Sequence, residues 1–472
     1  VNTPSLTADR DAALAWLMGR VNYERTAVVP VAEEAFKLDR IRELLRRLGD
    51  PHAGLRIVHV AGTKGKGSTS AMIAAACEAA GLRAGLYTSP HMERLEERFA
   101  VSGEPCTAAE LVGLIERVKP HAEAMDHEPI GGPTYFDLTT AMALQHFADR
   151  KVDAMALEVG LGGRLDSTNV VTPVVSVVTS ISLEHTAQLG ATRDKIAYEK
   201  AGILKPDVPA VSGVADAEAG DVIEQIAADR GCPFWRRGRD FDIEAIGDAW
   251  RFTRRCEDDS VETIEDVRPA LPGRAQAENA SVALAVLGVL ADRGWKLPIE
   301  ARRVGVNTGR LPARMERIAG DPLVVIDGAH NDASAKALAE ALDELCCLTN
   351  GGVAPRERRV LVVAISDDKD KAAIIEPLAR RFGHVIATRF LDNPRAAQPE
   401  KVAETARRFV TEGTTIEVAD TPQLAWEAAK RLVTKNVAAG NGAVVFTGSL
   451  LFAAEVRRLV LAERGAPPND SA

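Results

Sequence analysis

The sequence contains no run of eighteen or so apolar residues, the length a membrane-spanning helix requires. Its first twenty residues carry Asp9, Arg10 and Asp11 where a secretory signal would have an apolar core. A cytoplasmic protein without a membrane partner is therefore expected. Lysine and arginine number 58 against 67 aspartates and glutamates, a net charge of −9. The basic surplus that grips a nucleic-acid backbone is missing, so no nucleic-acid partner is expected either. Cysteine is sparse: Cys77, Cys106, Cys232, Cys256, Cys346 and Cys347 are scattered without the spacing of a disulfide or metal framework. Buried thiols in a reducing compartment account for them. No repeat or low-complexity segment stands out.

What is present is enough for more than one core. A chain of 472 residues, 46% hydrophobic and 26% charged, falls in the globular range and exceeds what one core usually supports. Apolar runs alternate with amphipathic stretches, which predicts an α/β protein with mostly parallel sheets. Residues 1–308 read as a P-loop ATPase-type domain: strands at Ile57–Ala61, Arg83–Thr88, Val152–Val159 and Val174–Ile181, and helices at Ser68–Ala80 and Thr134–Asp149. Segments Phe241–Thr253 and Val261–Val267 read as short antiparallel strands of a small β lobe attached to this domain. Residues 309–472 read as a second, doubly wound Rossmann-like domain.

The segment Ile57-Val58-His59-Val60-Ala61-Gly62-Thr63-Lys64-Gly65-Lys66-Gly67-Ser68-Thr69 joins a β-branched strand to a glycine-rich turn and a helix. Glycines let main-chain N–H groups converge on an anion, the helix start turns its positive dipole end toward it, and Lys66 adds a full charge. Thr63, Lys64, Gly65, Lys66, Gly67 and Ser68 are the expected phosphate contacts. The Walker pattern is not met strictly, because Gly62 lies three residues before Gly65 and Gly67 separates Lys66 from Ser68.

In open α/β sheets ligands collect at the carboxyl ends of strands. Ser89, Glu158 and His185 are polar residues that close or follow strands there. Read singly, the serine is a turn former and the histidine a satisfied structural residue. Together, a hydroxyl, a carboxylate and an imidazole make a Mg²⁺ shell completed by phosphate oxygens and water.

Further motifs lie along the chain: Tyr87-Thr88-Ser89-Pro90-His91, Leu157-Glu158-Val159-Gly160-Leu161-Gly162-Gly163-Arg164-Leu165-Asp166, Leu183-Glu184-His185-Thr186, Glu199-Lys200-Ala201-Gly202-Ile203, Leu311-Pro312-Ala313-Arg314 and Asp327-Gly328-Ala329-His330-Asn331. With the GTKGKGS loop, this ordered series resembles folylpolyglutamate synthase and the bifunctional dihydrofolate synthase, members of the Mur ligase superfamily. The resemblance implies that Ser89, Glu158 and His185 bind magnesium, and that Lys200 carries a carbamate holding a second Mg²⁺. By residue type alone Lys200 is a helix-surface lysine paired with Glu199. The resemblance also implies that Asn279, Arg314, Asp327 and His330 contact ATP, although Asn279 read alone is a helix N-cap. It makes Lys66, Lys200, Arg314 and His330 the catalytic set. Thr134, Tyr135, Phe136, Asp137, Leu165, Asp166 and Ser167 fall where the family binds its pterin. Phe136 could stack on a flat heterocycle or pack in a helix, and Asp137 or Asp166 could accept its N–H donors. Lys369 falls where glutamate would be held. Asp332 stands where the family's His-Asn-Pro has proline, which bears on the geometry of that loop.

The implied activity is an ATP-dependent ligase joining L-glutamate to dihydropteroate and to the γ-carboxylate of reduced folates, as a monomer. A purely chain-extending folylpolyglutamate synthase, a Mur-type ligase of peptidoglycan precursors and a non-enzymatic nucleotide-dependent scaffold are the alternatives.

Overall fold

The computed structural model describes residues 4–23, 38–271, 273–344, 354–391, 393–434 and 442–465. Cys346, Cys347 and the extreme ends of the two expected domains lie outside the described residues. The chain divides into one unit of Val1–Ala270 with Gln276–Arg310, and a second of Leu271–Ala275 with Leu311–Ala472.

The first unit is built on eight strands: β1 (Ile57–Ala61), β2 (Ala84–Tyr87), β3 (Phe99–Val101), β4 (Glu104–Pro105), β5 (Ala154–Glu158), β6 (Val175–Val178), β7 (Ala210–Ser212) and β8 (Phe234–Arg236). Their order is β4-β3-β2-β5-β1-β6-β7-β8. The run from β2 to β8 is parallel, and only β3 and β4 are antiparallel additions at one edge. Every residue of β1 and β5 is buried, as happens when helices cover both faces of a parallel sheet. Alternate residues serve different cores. Val58 and Val60 pack with Met72, Ile73, Val286 and Leu287, whereas Ile57 faces Leu138, Met142 and Phe147.

The helix after the phosphate loop, preceded by helices Pro4–Met18 and Leu38–Arg47, starts at Lys66, two residues before the expected Ser68. Gly65, at φ +83°, turns the chain within one residue, so Lys66 and Gly67 already sit in the first turn. A later helix, Ile299–Thr308, lies directly on this one. A Cβ on Gly305 would collide with the backbone of Ala76, and one on Gly309 would stand 2.6 Å from the Cα of Met72.

The β lobe is a three-stranded antiparallel sheet of β9 (Phe241–Ile246), β10 (Ala249–Arg255) and β11 (Val261–Val267). Buried Arg254 of β10 pairs with Glu262 at 2.7 Å and Asp292 at 2.7 Å, and Glu262 also holds Arg302 at 2.8 Å. These ion pairs tie the lobe to helices Arg274–Asp292 and Ile299–Thr308.

The second unit has β12 (Glu316–Ile318), β13 (Leu323–Ile326), β14 (Arg359–Val363), β15 (His384–Ala387), β16 (Thr415–Val418) and β17 (Ala443–Thr447) in the order β12-β13-β17-β14-β15-β16. Only β12 runs antiparallel. Among the described residues five α-helices accompany it: Asp332–Glu344, Lys371–Ala379, Pro399–Arg407, Pro422–Thr434 and Leu450–Glu463.

Candidate active site

Strands β2, β5, β1 and β6 are consecutive neighbours and parallel, so their carboxyl ends lie along one edge of the sheet. Tyr87 pairs with Leu157, Val60 with Glu158 and Ala61 with Val178. That register brings four loops together, carrying Ser89, Glu158, the phosphate loop and the Thr179–His185 segment.

The phosphate loop is held by its neighbours before any ligand arrives. Thr63 N–H donates to the Ser180 carbonyl at 2.8 Å and Lys64 N–H to Ser180 Oγ at 2.9 Å. Thr179 Oγ1 donates to the Lys64 carbonyl at 2.6 Å, and Lys64 Nζ reaches Glu184 at 2.8 Å. Two glycines permit this closeness: a Cβ on Gly62 would strike Thr179, and one on Gly65 would strike Asn279 Oδ1. Asn279 is therefore no N-cap. It sits inside helix Arg274–Asp292 with its amide against the loop, its Nδ2 donating to Gln276 at 3.1 Å. The first N–H groups of helix Lys66–Ala79 have no intrahelical acceptor. Half-buried Lys66 makes no hydrogen bond or ion pair among the described residues, so its charge stands ready for an anion.

Glu158 is buried, and its Oε2 accepts the Ser89 N–H at 3.1 Å. His185 begins helix Thr186–Leu189 in the left-handed region at φ 51°. Burial depresses its pKa; Glu184 opposes this, and Lys200, Lys66 and Lys64 add to it. Lys200 is not the surface residue its type suggests. It is 5% exposed and donates to the Gly62 carbonyl at 2.9 Å, while Glu199 pairs instead with Arg164 at 2.9 Å. Burial, reinforced by Lys66, pushes the Lys200 pKa down to about 7 against the pull of Glu184 and Asp166. Among the described residues no three of His, Cys, Asp and Glu cluster as a metal cage.

The loop after β5 packs against the end of helix Arg193–Ala201. Gly163 lies so close that a Cβ would stand 2.9 Å from the Glu199 and Lys200 carbonyls. Within it Asp166 Oδ2 accepts Leu161 N–H at 2.9 Å and its Oδ1 accepts Thr168 N–H at 3.0 Å. Ser167 Oγ donates to Asp137 Oδ1 at 2.6 Å. Asp137 and Thr134 form a capping box on helix Tyr135–Asp149, so both aspartates shape the loops in which they sit. Phe136 is half-buried over Gly160, 6.4 Å from the Tyr87 ring, and Leu165 is half-buried. Tyr135 is buried beneath Arg98.

In the second unit, buried Asp327 accepts N–H groups from Met315 and Ala329 at 2.9 and 2.8 Å. Its carboxyl is pushed up by burial, and Arg314 acts against that. The flanking Ala313 and Met315 both take φ 48°, and Gly328 N–H donates to the Ala313 carbonyl at 3.0 Å, so the Arg314 loop is locked onto the Asp327 loop. His330 bonds the Gly328 carbonyl through Nδ1 at 2.8 Å. Asn331 Oδ1 accepts Ser334 N–H at 2.9 Å and caps helix Asp332–Glu344, placing Asp332 in the first turn. That position suits proline and, through the helix dipole, an acidic residue alike. Lys369 is exposed beside Asp368 at 3.4 Å.

Sequence reading did not foresee the Thr179, Ser180 and Glu184 brace of the phosphate loop. Its signal is the polar run Thr179-Ser180-Ile181-Ser182 straight after an apolar strand.

Residues 60–287 match the Mur ligase middle domain, and residues 313–450 match the Mur ligase glutamate ligase domain. Over 96% of its length the chain is 34% identical to the dihydrofolate synthase/folylpolyglutamate synthase of Bacillus subtilis, covering 99% of that protein. The Mycobacterium tuberculosis folylpolyglutamate synthase complexed with ADP is similar in structure at TM-score 0.81 and 30% identity, covering 96% of this chain and 98% of the other. Escherichia coli FolC in complex with DHPP and ADP matches at TM-score 0.79 and 29% identity, over 98% of this chain and all of the other.

Proposed function

The chain belongs to the Mur ligases and, among them, to the dihydrofolate synthase/folylpolyglutamate synthase family; from that premise we propose that it joins L-glutamate to dihydropteroate and to the γ-carboxylate of reduced folates. The observation carrying this reading is the pre-braced phosphate loop, with unpartnered Lys66 beside a buried Lys200 at one sheet edge. ATP is the nucleotide. Its γ-phosphoryl passes to the acceptor carboxylate, breaking the bond to ADP and forming an acyl phosphate. The amino group of glutamate, having shed a proton, then forms the C–N bond as phosphate leaves.

The first-turn N–H groups and Lys66 meet the charge that develops on the transferred phosphoryl group. Arg314, Asp327 and His330 are assigned to the nucleotide and Lys369 to glutamate on the family pattern. The donor set fits Mg²⁺, a hard cation held by few protein ligands and completed by phosphate and water: Glu158 supplies a buried carboxylate that accepts the Ser89 N–H, and Ser89 and His185 are assigned with it on the family pattern. When bound, the ion neutralises phosphate charge. With its pKa near 7, Lys200 presents enough neutral amine to add CO₂, forming an N–C bond and releasing a proton; the carbamate would ligate a second ion. The further expectations, a cytoplasmic monomer without nucleic-acid or membrane partners, rest on composition and resemblance.

Supplying ATP and L-glutamate with either dihydropteroate or tetrahydrofolate tests the reading. Glutamylated product is expected from both, and no product from dihydropteroate would leave only the chain-extending activity. In the same assay K66A should lower kcat at least a hundredfold with an unchanged Tm. Full turnover by K66A would remove Lys66 from the mechanism.

A further inference from the structure

One polar side chain interrupts the apolar strand β1. His59 is fully buried, and its Nε2 lies 2.8 Å from Thr168 Oγ1, which lies 2.5 Å from Asp166 Oδ1. Thr168 is fully buried as well. The network fixes the direction of the protons. Burial pushes the Asp166 carboxyl up, and against this Leu161 N–H on one oxygen, Thr168 N–H on the other and the Gly160 N–H all favour the ionised form, which can only accept. The single Thr168 hydroxyl proton therefore goes to Asp166, and its lone pair receives the Nε2 proton of His59. The other ring nitrogen, Nδ1, has no partner among the described residues, as suits the unprotonated nitrogen of a neutral ring.

An unsatisfied buried nitrogen costs on the order of 1–3 kcal/mol, and a valine or leucine would serve the strand without that cost. Packing does not explain the imidazole; what its donor does at the far end of the relay explains it. A heterocycle carrying N–H donors is recognised by a carboxylate that is ionised and held in one rotamer. The loop bearing Asp166 has no regular structure except the short turn Ser167–Val170 to hold it.

We propose that His59 is a positioning residue for the acceptor: through Thr168 it fixes the carboxylate of Asp166 and with it the register of the Gly160–Asn169 loop. The proposal rests on the proposed function and on taking Asp166, of the two aspartates that the family resemblance offers, as the one that meets the acceptor.

The test uses the full chain, with dihydropteroate varied at saturating ATP and glutamate. H59L and T168V should each raise KM for dihydropteroate about tenfold while kcat and KM for ATP stay within about twofold. H59Q, whose amide donor reaches the place of Nε2, and T168S should recover most of the loss. The H59L/T168V pair should be no worse than T168V, because both break one chain. Should H59L not fold, T168V carries the test, since valine keeps threonine's shape. An unchanged KM in T168V, or additive losses in the double variant, overturns the relay. D166N separates the two layers: wild-type KM there means that the acceptor assignment fails, whereas a raised KM in D166N beside a normal T168V means that only the relay fails.

Discussion

Gly65 shows how one residue can set the nucleotide site. Its φ of +83° suits glycine, and Asn279 occupies the space that a Cβ would need. G65A should therefore cost about 1 kcal/mol or more in backbone strain and weaken ADP binding at least tenfold, read by titration calorimetry. His59 makes a different prediction. Burial, with a contribution from Lys205, pushes its pKa down to about 3 in the folded chain, against about 6.5 when unfolded. The folded form is the poorer proton acceptor, so its contribution to stability is complete above pH 6.5 and is lost as the pH falls toward 3. The slope attributable to this group is about 1.4 kcal/mol per pH unit. Urea melts between pH 7.5 and 5 should show a shallower decline for H59Q than for the parent chain. Lys200 marks what composition hides: its charge suggests a surface residue, whereas the fold buries it with its Nζ on the Gly62 carbonyl.

Among the elements, the longer buried apolar runs were legible from sequence, because strands covered on both faces read as continuous β-branched stretches, whereas the buried three-residue strands β3 and β7 were too short to be read. The strands β1, β5 and β6 and the helix Tyr135–Asp149 follow that rule. The strands β12 and β16 were not foreseen; Glu316-Arg317-Ile318 and Thr415-Ile416-Glu417-Val418 lie at sheet edges, half-exposed and charged, and carry no apolar run. Ser89 and Glu158 were legible as strand-end residues, and the register of β2 on β5 brings the Ser89 N–H to the Glu158 carboxylate. The contact between Asn279 and Gly65 was not legible, because it depends on a helix more than 200 positions away in the sequence. The β lobe offers a test at this scale. Removing Glu262 leaves Arg254 and Arg302 buried without their shared carboxylate, so E262A should destabilise the first unit by about 3 kcal/mol in chemical denaturation.

At the scale of the whole chain, each unit has cores of its own, one lying between β1 and its helices and another built on β14, β15 and β17. Scanning calorimetry is expected to resolve two transitions. ADP at a hundred times its Kd should stabilise the phosphate-loop unit by about 2.7 kcal/mol, raising its transition by a few degrees, and K66A should abolish that rise. The close seating of Gly305 on Ala76 has a further consequence, in time. The helix that carries the phosphate loop leans on a segment that the ribosome completes only about 230 residues later, after the β lobe has been made. At about 5–20 residues per second the nascent loop waits roughly ten to fifty seconds with the apolar faces of Met72 and Ala76 uncovered. During synthesis, the earliest part of the site to be translated is among the last to be finished.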